Sequence, residues 1–289
     1  MQVTSKGKSI EVEKGSRFQD IVPLFQEQEE YPLLLAKVGS KIYELHKKVP
    51  EEDCEIEWIT IQNRIGLQSY QRSAVFMLLK AFFHHCKGVK GFNVTIDYTL
   101  GGGFYGYISG EQKLTTELLS KVKSTMQDYV KAEMPIMKRN VSTEEARKLF
   151  HRLGMHSKEQ LFRFRMTSRV NIYSLGNFQD YFYGYMLLNT SYITKFDLFP
   201  YGNGFILLLP KEDNPGELAE FRPMDKLYQV QKSSSKWATE VGIKNIGALN
   251  QKIVSGDPDS LILMQEAFFE KQIGNMAMEI AKKKKRLVL

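Results

Sequence analysis

Few side chains in this 289-residue chain stand at spacings that chemistry demands. His84, His85 and Cys86 place two imidazoles and a thiol in a row, the donor types that bind transition metals. Neighbouring residues on a helix project about 100° apart, so this pair cannot converge on one ion as i, i+4 histidines do. They are read as surface imidazoles at a helix end. Gly101-Gly-Gly103 has the composition of a phosphate cradle, but it stands between two strand-like segments with no helix start behind it. A β-turn with positive φ is the expected use of those glycines. No Gly-x-x-x-x-Gly-Lys-[Ser/Thr] and no Cys-x-x-Cys occurs. The run Lys282-Lys-Lys-Lys-Arg286 reads first as the solvated C-terminal pole of a helix, and second as a nucleic-acid contact.

Composition bounds the rest. Hydrophobic residues make up 43% and charged residues 25%, as in ordinary globular proteins. No apolar run approaches the roughly 20 residues of a membrane span. The start of the chain is polar and strand-like, unlike a secretory signal. Cys54 and Cys86 form no disulfide framework, so a reduced, cytoplasmic setting is expected. The net charge of +7 is compatible with an anionic partner such as RNA or a nucleotide.

The elements follow from patterning. Gln2-Val-Thr-Ser and Ser9-Ile-Glu-Val-Glu13 alternate as strands around Gly7. Ser16 is the expected N-cap of a short helix bearing Phe18, Ile21 and Val22. A hairpin turns at Gly39-Ser40, and Cys54 to Ile59 closes a sheet. Ser69 to Lys87 is expected to be a helix with Val75, Leu78, Leu79, Phe82 and Phe83 on one apolar face. Strands follow at 92–98, 104–108, 170–173, 193–199 and 204–209, with helices at 115–131 and 142–153. The polar cluster Lys211-Glu-Asp-Asn-Pro-Gly216 marks a boundary, and three helices are expected beyond it.

Two segments carry a resemblance. Residues 1–62, in the order β-β-α-β-β-β, resemble the TGS module, a β-grasp domain of threonyl-tRNA synthetases and some GTPases. Tyr70-Gln-Arg-Ser-Ala-Val-Phe-Met-Leu-Leu-Lys80 resembles the helix of a threonyl-/alanyl-tRNA synthetase editing domain, whose hallmark is His-x-x-x-His. Asp180-Tyr-Phe-Tyr-Gly-Tyr-Met-Leu-Leu-Asn-Thr190 resembles that domain's Cys-x-x-x-His motif. The hallmark positions fall here on Arg72, Phe76, Phe182 and Met186. Metal binding or proton transfer needs imidazole, thiolate or carboxylate, and none of these four side chains supplies one. The resemblance thus implies a retained scaffold with its editing site degenerate and no metal. Arg72, together with Tyr70, Lys80, Tyr105 and Tyr183, is a candidate for binding a small anionic or nucleotide-like ligand in the remodelled cleft. The other reading is that Arg72 pairs with an internal acid such as Asp180 and plugs the site. The aromatics Tyr181, Phe182, Tyr183 and Tyr185 are read as core filling before base stacking.

Over the whole chain, Asn214-Pro-Gly-Glu-Leu-Ala219, Trp237, Val241-Gly-Ile-Lys-Asn-Ile-Gly247 and Leu249-Asn250 extend the likeness to the N-terminal region of bacterial uridine/nucleoside kinase-like proteins. That resemblance implies an α/β architecture in three parts: a β-grasp domain (1–62), an editing-like α/β domain (63–210) and a helical connector (211–289). Lys285 to Leu289 would be the strand feeding an absent P-loop kinase domain. This chain would then be a non-catalytic, regulatory or substrate-presenting region, needing no cofactor itself. Its partner would be its own kinase domain, which would use ATP and Mg²⁺. The alternative is an RNA- or tRNA-binding module derived from synthetase domains. A trans-acting editing hydrolase ranks last, its four site residues being gone.

Overall fold

A computed structural model describes residues 1–256, 258–284 and 286. Its architecture is α/β: a β-grasp domain of the TGS type, a synthetase editing-like α/β domain, and C-terminal helices. Packing gathers these into two compact units, neither continuous in sequence. Unit 1 comprises Met1–Val141 and Val170–Val230; unit 2 comprises Ser142–Arg169 and the chain from Gln231 onward. The helical pair inside the editing-like segment therefore sides with the C-terminal helices, a grouping that no break in composition announces.

Unit 1 opens with the hairpin β1 (Gln2–Ser5) and β2 (Lys8–Glu11). Lys6 and Gly7 both have positive φ at its two-residue turn, the backbone that matches strand twist. Helix α1 (Phe18–Phe25) starts one residue later than the Ser16 cap would set it. Asp20 reaches back to the Arg17 N–H at 2.8 Å, while the Ser16 carbonyl is taken by the Val49 amide at 2.9 Å. Strands β3 (Leu35–Val38), β4 (Lys41–Glu44) and β5 (Cys54–Ile59) complete a sheet of order β2-β1-β5-β3-β4, in which β1 and β5 are parallel. Phe18, Ile21 and Phe25 bury against Val3, Ile56 and Trp58, giving this domain its own core.

Helix α2 (Arg64–His85) is the axis of the editing-like domain. It begins five residues before the expected Ser69, because the Asn63 side chain caps it by accepting from the Ile65 N–H at 2.9 Å. Gly66 sits inside the helix: a Cβ there would lie 1.9 Å from the Thr60 carbonyl oxygen. The helix is buried around most of its circumference, Tyr70, Ala74, Phe76, Met77, Leu78 and Phe82 all being inaccessible, so it has no single apolar stripe. One neighbour is the antiparallel sheet β11-β12-β7-β6, formed by β6 (Asn93–Leu100), β7 (Gly103–Ser109), β11 (Asp197–Tyr201) and β12 (Gly204–Leu208). Gly101 and Gly102 form the β6–β7 turn, both at positive φ. Strand parity splits this sheet: Phe104, Ile108, Phe205 and Leu207 face α2 and α3 (Thr116–Lys131), while Tyr105, Ile206 and Leu208 face a layer containing Ala219 and Tyr228. A second sheet, β10-β9-β8, is built from β8 (Ile136–Ser142), β9 (Arg169–Leu175) and β10 (Phe178–Tyr181).

Unit 2 is helical: α4 (Thr143–Arg152), α5 (His156–Arg163), part of α6 (Asp225–Glu240), α7 (Ile246–Ser255) and α8 (Pro258–Lys283). Ser142 caps α4 by accepting from the Glu145 N–H at 3.1 Å. Phe150 and Phe162 join α4 to α5, their ring centroids 5.2 Å apart. The strand expected at Lys285 to Leu289 lies outside the described residues, Arg286 excepted.

Candidate functional site

One turn of α2 follows another to set Ser69, Arg72, Ser73 and Phe76 on one side of the helix, at i, i+3, i+4 and i+7. The segment 182–187, following β10, runs across that side. Arg72 donates from Nε to the Tyr185 carbonyl at 3.0 Å and from Nη2 to Ser69 Oγ at 3.2 Å. Ser73 Oγ accepts from the Leu187 amide at 2.9 Å and lies 3.9 Å from Met186 Sδ. The Phe76 and Phe182 rings meet edge to face at 5.3 Å. Gly184 permits this closeness: φ there is +111°, and a Cβ would come within 2.8 Å of Arg72 Cζ. The positions Arg72, Phe76, Phe182 and Met186, 110 residues apart in two pairs, therefore stand together.

The remaining occupant comes from the β-grasp domain. Glu44, at the end of β4, is 3% exposed. Its Oε1 accepts from the Tyr173 hydroxyl at 2.7 Å and from the Met186 amide at 2.9 Å, and Oε2 accepts from Lys138 Nζ at 2.9 Å. The Tyr173 hydroxyl also lies 2.9 Å from the Gly184 carbonyl oxygen, and Lys138 Nζ sits 5.3 Å from the Tyr173 ring centroid. Burial, then the Glu44 charge and hydrogen bond, push the Tyr173 pKa up, so it is a neutral donor. Burial lowers the Arg72 pKa, and the nearby Tyr173 and Glu44 oppose that shift. His46 Nδ1 is 3.8 Å from Glu44 Oε2, and burial lowers the pKa of its imidazole against the pull of that carboxylate. With three donors on its two oxygens and its side chain 4% exposed, Glu44 is held as a buried, hydrogen-bonded acceptor. The arrangement anchors one domain to the other within unit 1.

The other candidates lie elsewhere or are already engaged. Tyr70 is buried, its hydroxyl donating to the Lys195 carbonyl at 2.8 Å and accepting from the Lys195 amide at 2.9 Å. Lys80 is buried with its ammonium 5.0 Å from the Tyr129 ring centroid and 3.4 Å from Asn177 Oδ1. Tyr105 is on the opposite face of its sheet, stacked on Tyr98 at 5.1 Å. Tyr183 is 82% exposed. Of the five, Arg72 bonds from α2 to the segment 182–187, at the Tyr185 carbonyl. Asp180, the acid expected to meet it, receives the Tyr181 N–H at 2.6 Å. His85 bonds Thr125 at 2.7 Å and Cys86 is buried at the helix end. Among the described residues, no group of three His, Cys, Asp or Glu side chains is placed to hold a metal ion.

Sequence reasoning missed Glu44, Lys138, Tyr173 and Ser73. The usable signal was alternation: β4 places Ile42 and Glu44 on one face, which makes an acid at an inward strand position.

No family model matches the chain. It is similar to curated threonine–tRNA ligases. That of Thermotoga petrophila is 30% identical over 164 residues, 56% of this chain and 25% of the ligase. Threonine–tRNA ligase 1 of Bacillus subtilis is 30% identical over 193 residues, 66% of this chain and 29% of the ligase. That of Oleidesulfovibrio alaskensis is 28% identical over 199 residues, 68% of this chain and 30% of the ligase. The chain thus spans less than a third of the length of these relatives. They overturn the kinase expectation, and with it the uridine/nucleoside phosphotransferase activity, the ATP and Mg²⁺ requirement and the C-terminal kinase partner. The motifs that suggested a kinase have local structural uses instead. Asn245 caps α7 by accepting from the Ala248 N–H at 2.9 Å, and Gly242 turns the chain at φ +79°. A Cβ on Gly247 would lie 2.9 Å from the Leu161 backbone nitrogen, and Trp237 packs on Phe268 at 5.1 Å. Helix capping and close packing, not nucleotide chemistry, explain those residues. Among the described residues, no helix is long and apolar enough to cross a membrane.

Proposed function

We propose that this chain is an RNA-binding module, built on synthetase-type domains, that binds tRNA without editing it. One observation supports the reading: Arg72, Phe76, Phe182 and Met186, the positions on which the resemblance sets the editing motifs, pack together with Glu44. A polar acyl-ester substrate would find no thiolate and no imidazole pair among Arg72, Phe76, Phe182 and Met186. The tRNA ligases it resembles support the choice of RNA as the partner. The two unpaired cysteines, Cys54 and Cys86, suit a cytoplasmic setting, where tRNA is found.

The test is fluorescence anisotropy of a labelled threonine tRNA transcript titrated with the protein between 50 and 200 mM salt. Saturable binding that weakens steeply with salt is expected, since phosphate neutralisation releases counterions. No binding at protein concentrations of about 100 μM, the weak limit of non-specific association, would contradict the proposal.

A further inference from the structure

The net charge of the chain is confined to one of its units. Of 40 lysines and arginines and 33 acids, unit 2 holds 17 and 9, a net +8, which leaves unit 1 at −1. Within unit 2, residues 142–169 hold seven of those cations and three of the acids. From this segregation we infer that the α4–α5 hairpin is the surface that grips the phosphate backbone of RNA, an assignment that rests on the RNA-binding reading above.

Two of the hairpin's three acids are held by its own cations and imidazoles. Glu144 is held by Arg147 through two bonds of 2.9 and 2.8 Å. Glu159 is 8% exposed and takes His151 Nδ1 at 3.0 Å, with His156 Nδ1 and an Arg163 Nη2 each at 3.6 Å. The His151 hydrogen bond, before any other cause, holds its pKa below the usual carboxylate range. The buried anion ties both helices together under a rim of cations. Lys148, His151 and Arg152, at i, i+3 and i+4 on α4, border a groove of about 550 Å³ together with Glu145, Arg147 and Glu159. The Lys148 side chain is 70% exposed and that of Arg163 54%.

The layout selects the ligand class. A lone phosphate needs donors that converge on one point. Here the cations lie side by side along helices of ten and eight residues, α4 alone rising about 15 Å. A linear polyanion matches that spacing, each cation taking a different phosphate.

The test compares three proteins, each first checked by circular dichroism and thermal melting. They are wild type, the double variant Lys148→Glu/Arg152→Glu, and a unit 1 control, Lys41→Glu/Lys87→Glu, whose lysines are also exposed. Each is titrated against labelled threonine tRNA over a salt series and against phosphatidylserine vesicles. The hairpin variant is expected to bind tRNA on the order of tenfold more weakly than the control, with a salt slope shallower by about 2, one per lost phosphate contact. Equal binding by variant and control, with wild type still binding, would overturn the hairpin assignment and leave the RNA reading standing. Absence of tRNA binding by all three would overturn both. Vesicle binding as tight as tRNA binding, and lost in the same variant, would make this a general anionic-surface contact and overturn the assignment to RNA.

Discussion

The carboxylate of Glu44 accepts a hydrogen bond from the Tyr173 hydroxyl at 2.7 Å, joining residues 129 positions apart and carried by different domains of unit 1. Lys138, the Met186 amide and Arg72 surround the same carboxylate with positive charge or donors. Glu44→Ala leaves a partly buried ammonium, of Lys138, and the buried Met186 amide without their acceptor. Breaking such a group from one side costs about 3–5 kcal/mol. The thermal midpoint is expected to fall by roughly ten degrees, and by much less in Glu44→Gln, which keeps an oxygen for Tyr173 and Met186. Differential scanning calorimetry of both variants checks this, and equal, small shifts would refute it.

Arg72→Lys is expected to behave almost as badly as Arg72→Ala. The guanidinium uses two nitrogens at once, on the Tyr185 carbonyl and Ser69 Oγ, and an ammonium cannot span both. A loss of about 1–3 kcal/mol is expected for each in denaturant titrations. Affinity for tRNA should be unchanged; a loss of tRNA binding at wild-type stability would make Arg72 a ligand contact.

How much of this was legible follows from range. Thr115 and Ser142 announce helices because a cap and its amide are three residues apart. Gly66 carries no such local signal: its reason for being glycine, the Thr60 carbonyl, shows only in the fold. The two motif-like segments were visible as text, and the likeness to threonyl-tRNA synthetase domains was read correctly, relatives matching over 164 to 199 residues. Glu44 was not legible as a site residue: Tyr173 and Met186 reach it only after two domains have packed. Tyr105 went astray by one residue of strand parity, which sends Phe104 toward α2 and Tyr105 to the other face. The kinase likeness failed because short motifs in α6 and α7 repeat wherever helices are capped and crossed closely.

Two glycines on helices should respond in opposite directions. Gly66→Ala drives a methyl into the Thr60 carbonyl at 1.9 Å and is expected to cost about 1–3 kcal/mol or more. Gly274, in α8, has nothing within 4 Å of its missing Cβ. Gly274→Ala should therefore be neutral or raise local helix stability, by up to about 1 kcal/mol. Amide hydrogen exchange across α8 measures the second effect, and thermal melting the first.

Stability at alkaline pH should be governed by buried tyrosines. Burial raises the pKa of Tyr70, Tyr105 and Tyr173, and raises that of Tyr98 to about 12. A raised pKa means the fold favours the neutral phenol, so the contribution is fully present below about pH 10, where unfolded tyrosines are also neutral. It is lost as pH climbs from about 10 toward the folded values. Absorbance of tyrosinate should show part of the 14 tyrosines titrating only as the protein unfolds. Complete, reversible ionisation near pH 10 with the fold intact would rule this out.

The most direct test of the proposal that this synthetase-like scaffold holds tRNA without hydrolysing it is a deacylation assay on a mischarged threonine tRNA. The protein is added at a concentration shown by anisotropy to saturate the tRNA, and release of the amino acid is followed against a protein-free control. We expect full binding and a hydrolysis rate equal to the control. Accelerated release that follows the protein through purification would contradict the closure of the site by Glu44, Arg72, Phe76, Phe182 and Met186.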